Sequence, residues 1–367
     1  MFLAINLSAG SSLPTKKITS DGKYKTPQFS ALTLKYGVKA RGDSWQDHFY
    51  GMPHKGIGVY LPRFSMRKEL GDPFSVFLFQ GAQIKRINKN VSFDYEINLG
   101  ASFNWNRFNA YTDPMFIVFG SSTNVHLAGN WYFNWRLSKR FDLHAGANIT
   151  HFSNGALRTP NNGLNNVSPF VEIVYNLQKE KTSPNSNGMA YPPPAFKKGT
   201  AHDFNLLFTT HTVKLDSAEN GLISKYPRQR FKVAGISYSY MFHNTRRFKW
   251  GPSMELLYDE SVNTTFKGET NPLTGEYREY YQLGKMADRF SAGLSLKGEF
   301  CMPGYSIFTN LGYDVYHKDR RKEHFYQIYG VKVFLLDSLF ATFSVRSTKL
   351  AHSQYLYLSV GYSIFDR

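Results

Sequence analysis

The chain has 367 residues, of which 16 % are aromatic (31 Phe and 24 Tyr) and 19 % charged, with a net charge of +17. No apolar run reaches the about 18 residues a helical span requires, which excludes a helical membrane protein; a transmembrane β-barrel, whose strands need only about 10 alternating residues each, remains open. The one cysteine, Cys301, excludes an intrachain disulfide and any Cys-based metal site.

The start, Met1-Phe-Leu-Ala-Ile-Asn-Leu, lacks a basic n-region and is too short in apolar residues for a complete export signal. Either that segment has been removed or the chain is not secreted. Strand-like alternation begins at 31–40 and recurs at 54–65 and 73–87. It is clearest from Val91 to Asn106, where Val91, Phe93, Tyr95, Ile97, Leu99, Ala101, Phe103 and Trp105 interleave with Ser92, Asp94, Glu96, Asn98 and further small or polar residues. That length exceeds a soluble strand and suits a membrane-crossing one. In the next segment Val125, Leu127, Gly129, Trp131, Phe133, Trp135 and Leu137 alternate with Asn124, His126, Ala128, Asn130, Tyr132 and Asn134, which implies a wet or hydrogen-bonded lumen. Further segments fall at 140–153, 167–177, 202–214, 230–243, 248–260, 289–300, 305–317, 324–336, 338–347 and 353–365.

These make about 15 candidates, and single-chain bacterial barrels use even numbers of strands. The reading is all-β: one transmembrane antiparallel barrel of about 14–16 strands, with two tandem eight-stranded barrels as the alternative and a soluble β-sandwich as the competing class. Residues 178–200, rich in Pro, Ser and Asn, read as a loop or linker between a first part, 1–177, and a second, 201–367, which looks like a degenerate repeat of it. Basic residues gather near presumed strand ends, in Lys85–Arg86–Lys89, Arg246–Arg247–Lys249 and Lys318–Lys322. No run resembles a nucleic-acid arm, so the expected anionic partner is the phosphate of a lipid or lipopolysaccharide headgroup rather than nucleic acid.

One segment reads as chemical: Asn148-Ile-Thr-His151-Phe-Ser153-Asn154-Gly-Ala-Leu-Arg-Thr-Pro160-Asn161-Asn-Gly163-Leu-Asn165. Leu143, Ala145, Ala147 and Ile149 form the apolar face, and the same parity carries His151 and Ser153 to it. A His and a Ser two apart on one strand face are close enough for the base to activate the hydroxyl. An oxyanion then needs donors, for which Asn161 and the backbone N–H groups around Gly155 and Ala156 are the candidates. The remaining histidines, among them His126, His144, His202, His211 and His352, show no metal-ligand spacing. No phosphate loop or dinucleotide fingerprint appears.

His151-Phe-Ser153-Asn154 with Leu157, Pro160-Asn161 and Gly163 resembles the active-site motif of the PagL-type lipid A 3-O-deacylases, outer-membrane enzymes that hydrolyse an ester-linked acyl chain of lipid A. The resemblance extends from Ala31 to Leu177 and includes Gly120-Ser-Ser-Thr-Asn-Val. It implies an eight-stranded barrel in the outer membrane, a carboxylic ester hydrolase without cofactor or metal, His151 as base, Ser153 as nucleophile, and Asn161, with Asn154, Gly155 and Ala156, around the oxyanion. The substrate it implies is lipopolysaccharide of the outer leaflet. One departure stands out: the family's acidic third residue falls on Asn165, which orients an imidazole but cannot offset the charge of an imidazolium. Glu172 is the nearest carboxylate, and its parity points it to the lumen. A non-catalytic barrel, either a channel or a structural protein, and a phospholipase are the alternative functions.

Overall fold

Apolar and polar residues alternating over ten or more positions give a strand two unlike faces, and antiparallel neighbours keep like faces together. The computed structural model, which describes residues 1–14, 26–177, 192–216, 221–350 and 352–366, joins these strands into two closed eight-stranded antiparallel barrels. The chain divides into two compact units, Met1–Asn154 with Pro160–Pro194, and Gly155–Thr159 with Ala195–Arg367.

The first barrel contains β1 (Phe2–Ser12), β2 (Gln28–Lys39), β3 (His54–Phe64), β4 (Gly71–Arg86), β5 (Val91–Trp105), β6 (Asn124–Arg136), β7 (Phe141–Ser153) and β8 (Leu164–Asn176). Each strand pairs with the next, and β8 returns to β1, with Phe2 opposite Asn176 and Ser12 opposite Asn166. The second contains β9 (Gly199–His211), β10 (Phe231–His243), β11 (Phe248–Asp259), β14 (Phe290–Met302), β15 (Tyr305–Tyr316), β16 (Phe325–Phe334), β17 (Leu339–Thr348) and β18 (His352–Asp366), with β18 closing on β9. Between β11 and β14 a separate hairpin, β12 (Thr265–Thr270) and β13 (Tyr277–Gln282), stands outside the barrel sheet.

The single barrel of about 14–16 strands is therefore corrected to the tandem alternative. Closure after eight strands already pairs every edge, so nothing requires β8 to continue into β9. The barrel strand missing from the 15 candidates is β1, where the opening residues alternate: Phe2, Ala4 and Asn6 are buried, and Leu3, Ile5 and Leu7 face outward. Of the expected linker 178–200, residues 178–191 lie outside the described residues, 192–198 carry no regular structure, and Gly199 already begins β9.

Both barrels are apolar outside and polar within. Leu78, Ile173, Leu206 and Leu358 are well exposed on the outer walls, whereas Glu96, Glu172, Asp203 and Glu299 are buried inside. This is the distribution a bilayer selects. Both lumens are crossed by buried ion pairs among the described residues. In the first, Lys35 Nζ lies 2.8 Å from Glu96 Oε2 and 2.7 Å from Glu172 Oε2, and His144 Nδ1 lies 2.9 Å from Glu172 Oε1. In the second, Lys332 pairs with Asp203 at 2.6 Å, and Arg346 pairs with Asp314 at 2.7 Å and with Glu255. Above the charged layer of the first barrel sits an aromatic one, including Phe29, Phe64, Trp105, Phe116, Phe119 and Phe152. Each such side chain contributes roughly 1.5–3 kcal/mol when fully buried.

Candidate active site

Phe152 sets the geometry of the site. It is fully buried in the aromatic layer, with its ring centroid 4.9 Å from Trp105 and 5.2 Å from His126. Because side chains alternate along a strand, an inward Phe152 fixes its neighbours His151 and Ser153 on the outer face. Register then supplies their surroundings: His151 stands opposite Leu127 on β6 and Asn165 on β8, and Ser153 stands opposite Val125.

The three polar side chains form a chain of hydrogen bonds. Asn165 Oδ1 lies 2.6 Å from His151 Nδ1, and His151 Nε2 lies 2.9 Å from Ser153 Oγ. An amide oxygen only accepts, so it selects the tautomer with the proton on Nδ1 and leaves the Nε2 lone pair to accept from the serine hydroxyl. Gly163 closes one side. Its φ of +70° is a left-handed conformation, and a Cβ there would lie 3.2 Å from His151 Cε1 and 3.1 Å from the Phe152 carbonyl oxygen, so only glycine fits without displacing the imidazole.

After β7 the chain turns sharply. Asn154 is buried, and Gly155 and Ala156 follow with φ of 59° and 63°. The Asn154 N–H donates to Asn161 Oδ1 at 3.0 Å, and its Nδ2 donates to Ser121 Oγ at 2.7 Å. The loop 106–123 braces the far side of this turn through the bridge between Phe119 and Asn161 and a 3.0 Å bond from Asn162 N–H to the Val118 carbonyl. Of the residues singled out in the sequence, His151, Ser153, Asn154, Asn161 and Asn165 thus come together, and Gly155 and Ala156 continue the turn.

Glu172 stays in the lumen with Lys35 and His144, between the outward-facing Val171 and Ile173. Asn165, not Glu172, is therefore the side chain bonded to His151 Nδ1. The basic cluster Lys85–Arg86–Lys89 belongs to the β4–β5 turn, at the end of the first barrel opposite Ser153. Among the described residues, cations in loops at the site's own end include Arg67 and Lys68, between β3 and β4, Arg107, between β5 and β6, and Arg158, between β7 and β8. Composition alone does not show which end of a strand a charge occupies; chain direction through the hairpins does. Two supports were not read from sequence: the packing of Gly163 against His151, and Ser121, which lies in the segment Gly120-Ser-Ser-Thr-Asn-Val.

Residues 32–173 match the family of lipid A 3-O-deacylases (PagL), and residues 201–367 match the C-terminal domain of acyloxyacyl hydrolase in the same series (PagL_C). No curated protein sequence matches the chain. Among solved structures, the outer membrane enzyme PagL is 15 % identical, covering 46 % of this chain and 97 % of its own, with a TM-score of 0.32. The siderophore receptor PirA from Acinetobacter baumannii is 9 % identical over 99 % of this chain and 73 % of its own, at a TM-score of 0.24. The CymD monoaromatic hydrocarbon channel is 10 % identical over 98 % of this chain and 87 % of its own, at 0.21. TM-scores this low give these three no weight in reading the site. On these matches, the part of the chain at 32–173 belongs to the lipid A 3-O-deacylase (PagL) family and the part at 201–367 to the acyloxyacyl hydrolase C-terminal domain family.

Proposed function

We propose that this chain is an outer-membrane serine esterase that hydrolyses the ester-linked acyl chain at the 3-position of lipid A, with the site on the part of the chain comprising residues 1–177. The observation that carries the reading is the Asn165–His151–Ser153 hydrogen-bond chain on the outward face of β7 and β8. Ser153 Oγ attacks the ester carbonyl carbon while its proton passes to His151 Nε2. The tetrahedral intermediate collapses by breaking the bond to the sugar oxygen, which takes the proton from the imidazolium. Water, deprotonated by the same imidazole, then attacks the acyl-serine ester, releasing the fatty acid and restoring Ser153.

The oxyanion is held by the Asn161 amide and by backbone N–H groups of Gly155 and Ala156, each such donor contributing about 3 kcal/mol. Asn161 has its oxygen engaged by the Asn154 N–H, which leaves the NH₂ as its donating end. Asn165 orients the imidazole. The outward neighbours Leu127, Ile149 and Val167 let the acyl chain remain in an apolar environment throughout. In this reading Lys68 and Arg107, in loops at this end of the barrel, bind the sugar phosphates of lipopolysaccharide in the outer leaflet, while Arg67 is paired with Asp72. No cofactor or metal enters these steps.

The channel reading finds no support in the first lumen, where Lys35, Glu96, Glu172 and His144 pair with one another across the bore. The test uses purified full-length chain in mixed micelles with lipid A or with phospholipid. Release of hydroxy fatty acid from lipid A by the wild type, abolished in Ser153→Ala with the barrel folded, supports the deacylase. Fatty acid from phospholipid instead identifies a phospholipase, and release from neither identifies a non-enzymatic barrel.

A further inference from the structure

We infer that Ser121, in the loop between β5 and β6, is a positioning residue for hydrolysis: its hydroxyl holds Asn154, and through it the peptide following Ser153, in the orientation the oxyanion requires. This rests on the hydrolytic reading above. A serine hydroxyl has one donor and two acceptor positions. Here it accepts from Asn154 Nδ2 at 2.7 Å and lies 3.2 Å from Asn124 Oδ1, to which it donates. Asn124 is itself fixed, because its Nδ2 donates to the Ser121 carbonyl at 3.3 Å and its side chain is buried at the start of β6.

Asn154 is the hub of this arrangement. It is 3 % exposed, follows the nucleophile directly, and spends its side-chain N–H on Ser121 and its backbone N–H on Asn161. The path from Ser121 to the reacting carbonyl therefore has two branches. One runs along the backbone to Gly155 and Ala156, which follow Asn154 directly with φ of 59° and 63°. The other runs through the Asn161 amide, whose oxygen the Asn154 N–H holds so that its nitrogen serves as the donor. Neither branch gives Ser121 contact with substrate. Loss of its hydroxyl leaves a buried amide N–H without that acceptor, and the turn re-forms around another partner.

A misplaced oxyanion donor weakens an interaction made only in the transition state, so kcat and kcat/KM fall together while KM holds. The experiment compares wild type, Ser121→Ala, Ser121→Cys and Ser121→Thr on lipid A in mixed micelles, with rates normalised to folded barrel by heat-dependent gel mobility. Ser121→Ala is expected to lower kcat about 10-fold or more with KM within two-fold. Ser121→Cys, similar in size but weak in hydrogen bonding, follows it if the alanine variant folds poorly, and Ser121→Thr, which keeps the hydroxyl, stays within about three-fold of wild type. Wild-type kcat per folded barrel in the alanine or cysteine variant overturns the inference, as does a loss confined to the amount of folded protein. An inactive wild type overturns the hydrolase reading and this inference with it; an active wild type with unaffected Ser121 variants overturns this inference alone.

Discussion

Replacing Asn165 by aspartate is expected to make the enzyme faster. Asn165 Oδ1 sits 2.6 Å from His151 Nδ1, already at the distance of a charge-assisted bond, so the substitution changes charge with almost no change of shape. While the imidazole is neutral, either side chain accepts the Nδ1 proton. When Ser153 gives up its proton the imidazole becomes a cation, and only the carboxylate answers it. A neutral hydrogen bond contributes about 0.5–1.5 kcal/mol and one to an ionised partner about 1.5–3 kcal/mol. The difference of about 1–2 kcal/mol falls on the transition state and corresponds to roughly a 5- to 30-fold rise in kcat. The assay is initial-rate acyl release from lipid A in mixed micelles, with Asn165→Leu alongside. The leucine variant loses the acceptor that sets the tautomer and is expected to be at least about 10-fold slower than wild type. Equal rates for Asn165→Asp and wild type, or a leucine variant as active as wild type, would refute the assignment of Asn165 to the third position.

Gly163→Ala is expected to cut activity sharply while the barrel still assembles, since the new methyl meets His151 Cε1 at 3.2 Å in a backbone conformation that costs an L-residue about 1–2 kcal/mol; an unchanged kcat would show that the imidazole is not held by this contact. Lys35→Met removes the cation between Glu96 and Glu172 and is expected to destabilise the first barrel by about 3–5 kcal/mol, measured as a lower urea midpoint for loss of the folded gel species. The triple variant that also carries Glu96→Gln and Glu172→Gln should recover most of that loss, and failure of Lys35→Met to lower the midpoint would contradict the role given to the lumen network.

Alternation made most strands legible, because a wall with lipid on one side and a polar lumen on the other writes a period of two into every segment. Parity also carried His151 and Ser153 to the outer face, where the inward Phe152 holds them. What alternation leaves open is which edges meet. Each strand pairs identically whether its sheet closes after eight strands or continues, so nothing in 164–211 distinguishes the return of β8 to β1 from a passage into β9. The first strand escaped for a different reason: Phe2–Ser12 looks like the remnant of an apolar leader until Asn6 and Ser8 are seen to face inward. The hairpin β12–β13 belongs to a long connection whose pattern is mixed, with Tyr280 and Tyr281 both exposed. At the site, His151, Ser153 and Asn161 are marked by residue type and spacing. Ser121 contributes through a contact 33 residues away in sequence, which no local pattern reports.

The most direct test of the account is the mass of lipid A from cells expressing the wild-type chain or Ser153→Ala, with each protein recovered as folded barrel from the outer membrane. Loss of one hydroxyacyl group with the wild type and none with Ser153→Ala is the predicted result. Lipid A of unchanged mass in both, or the same loss in both, would contradict it.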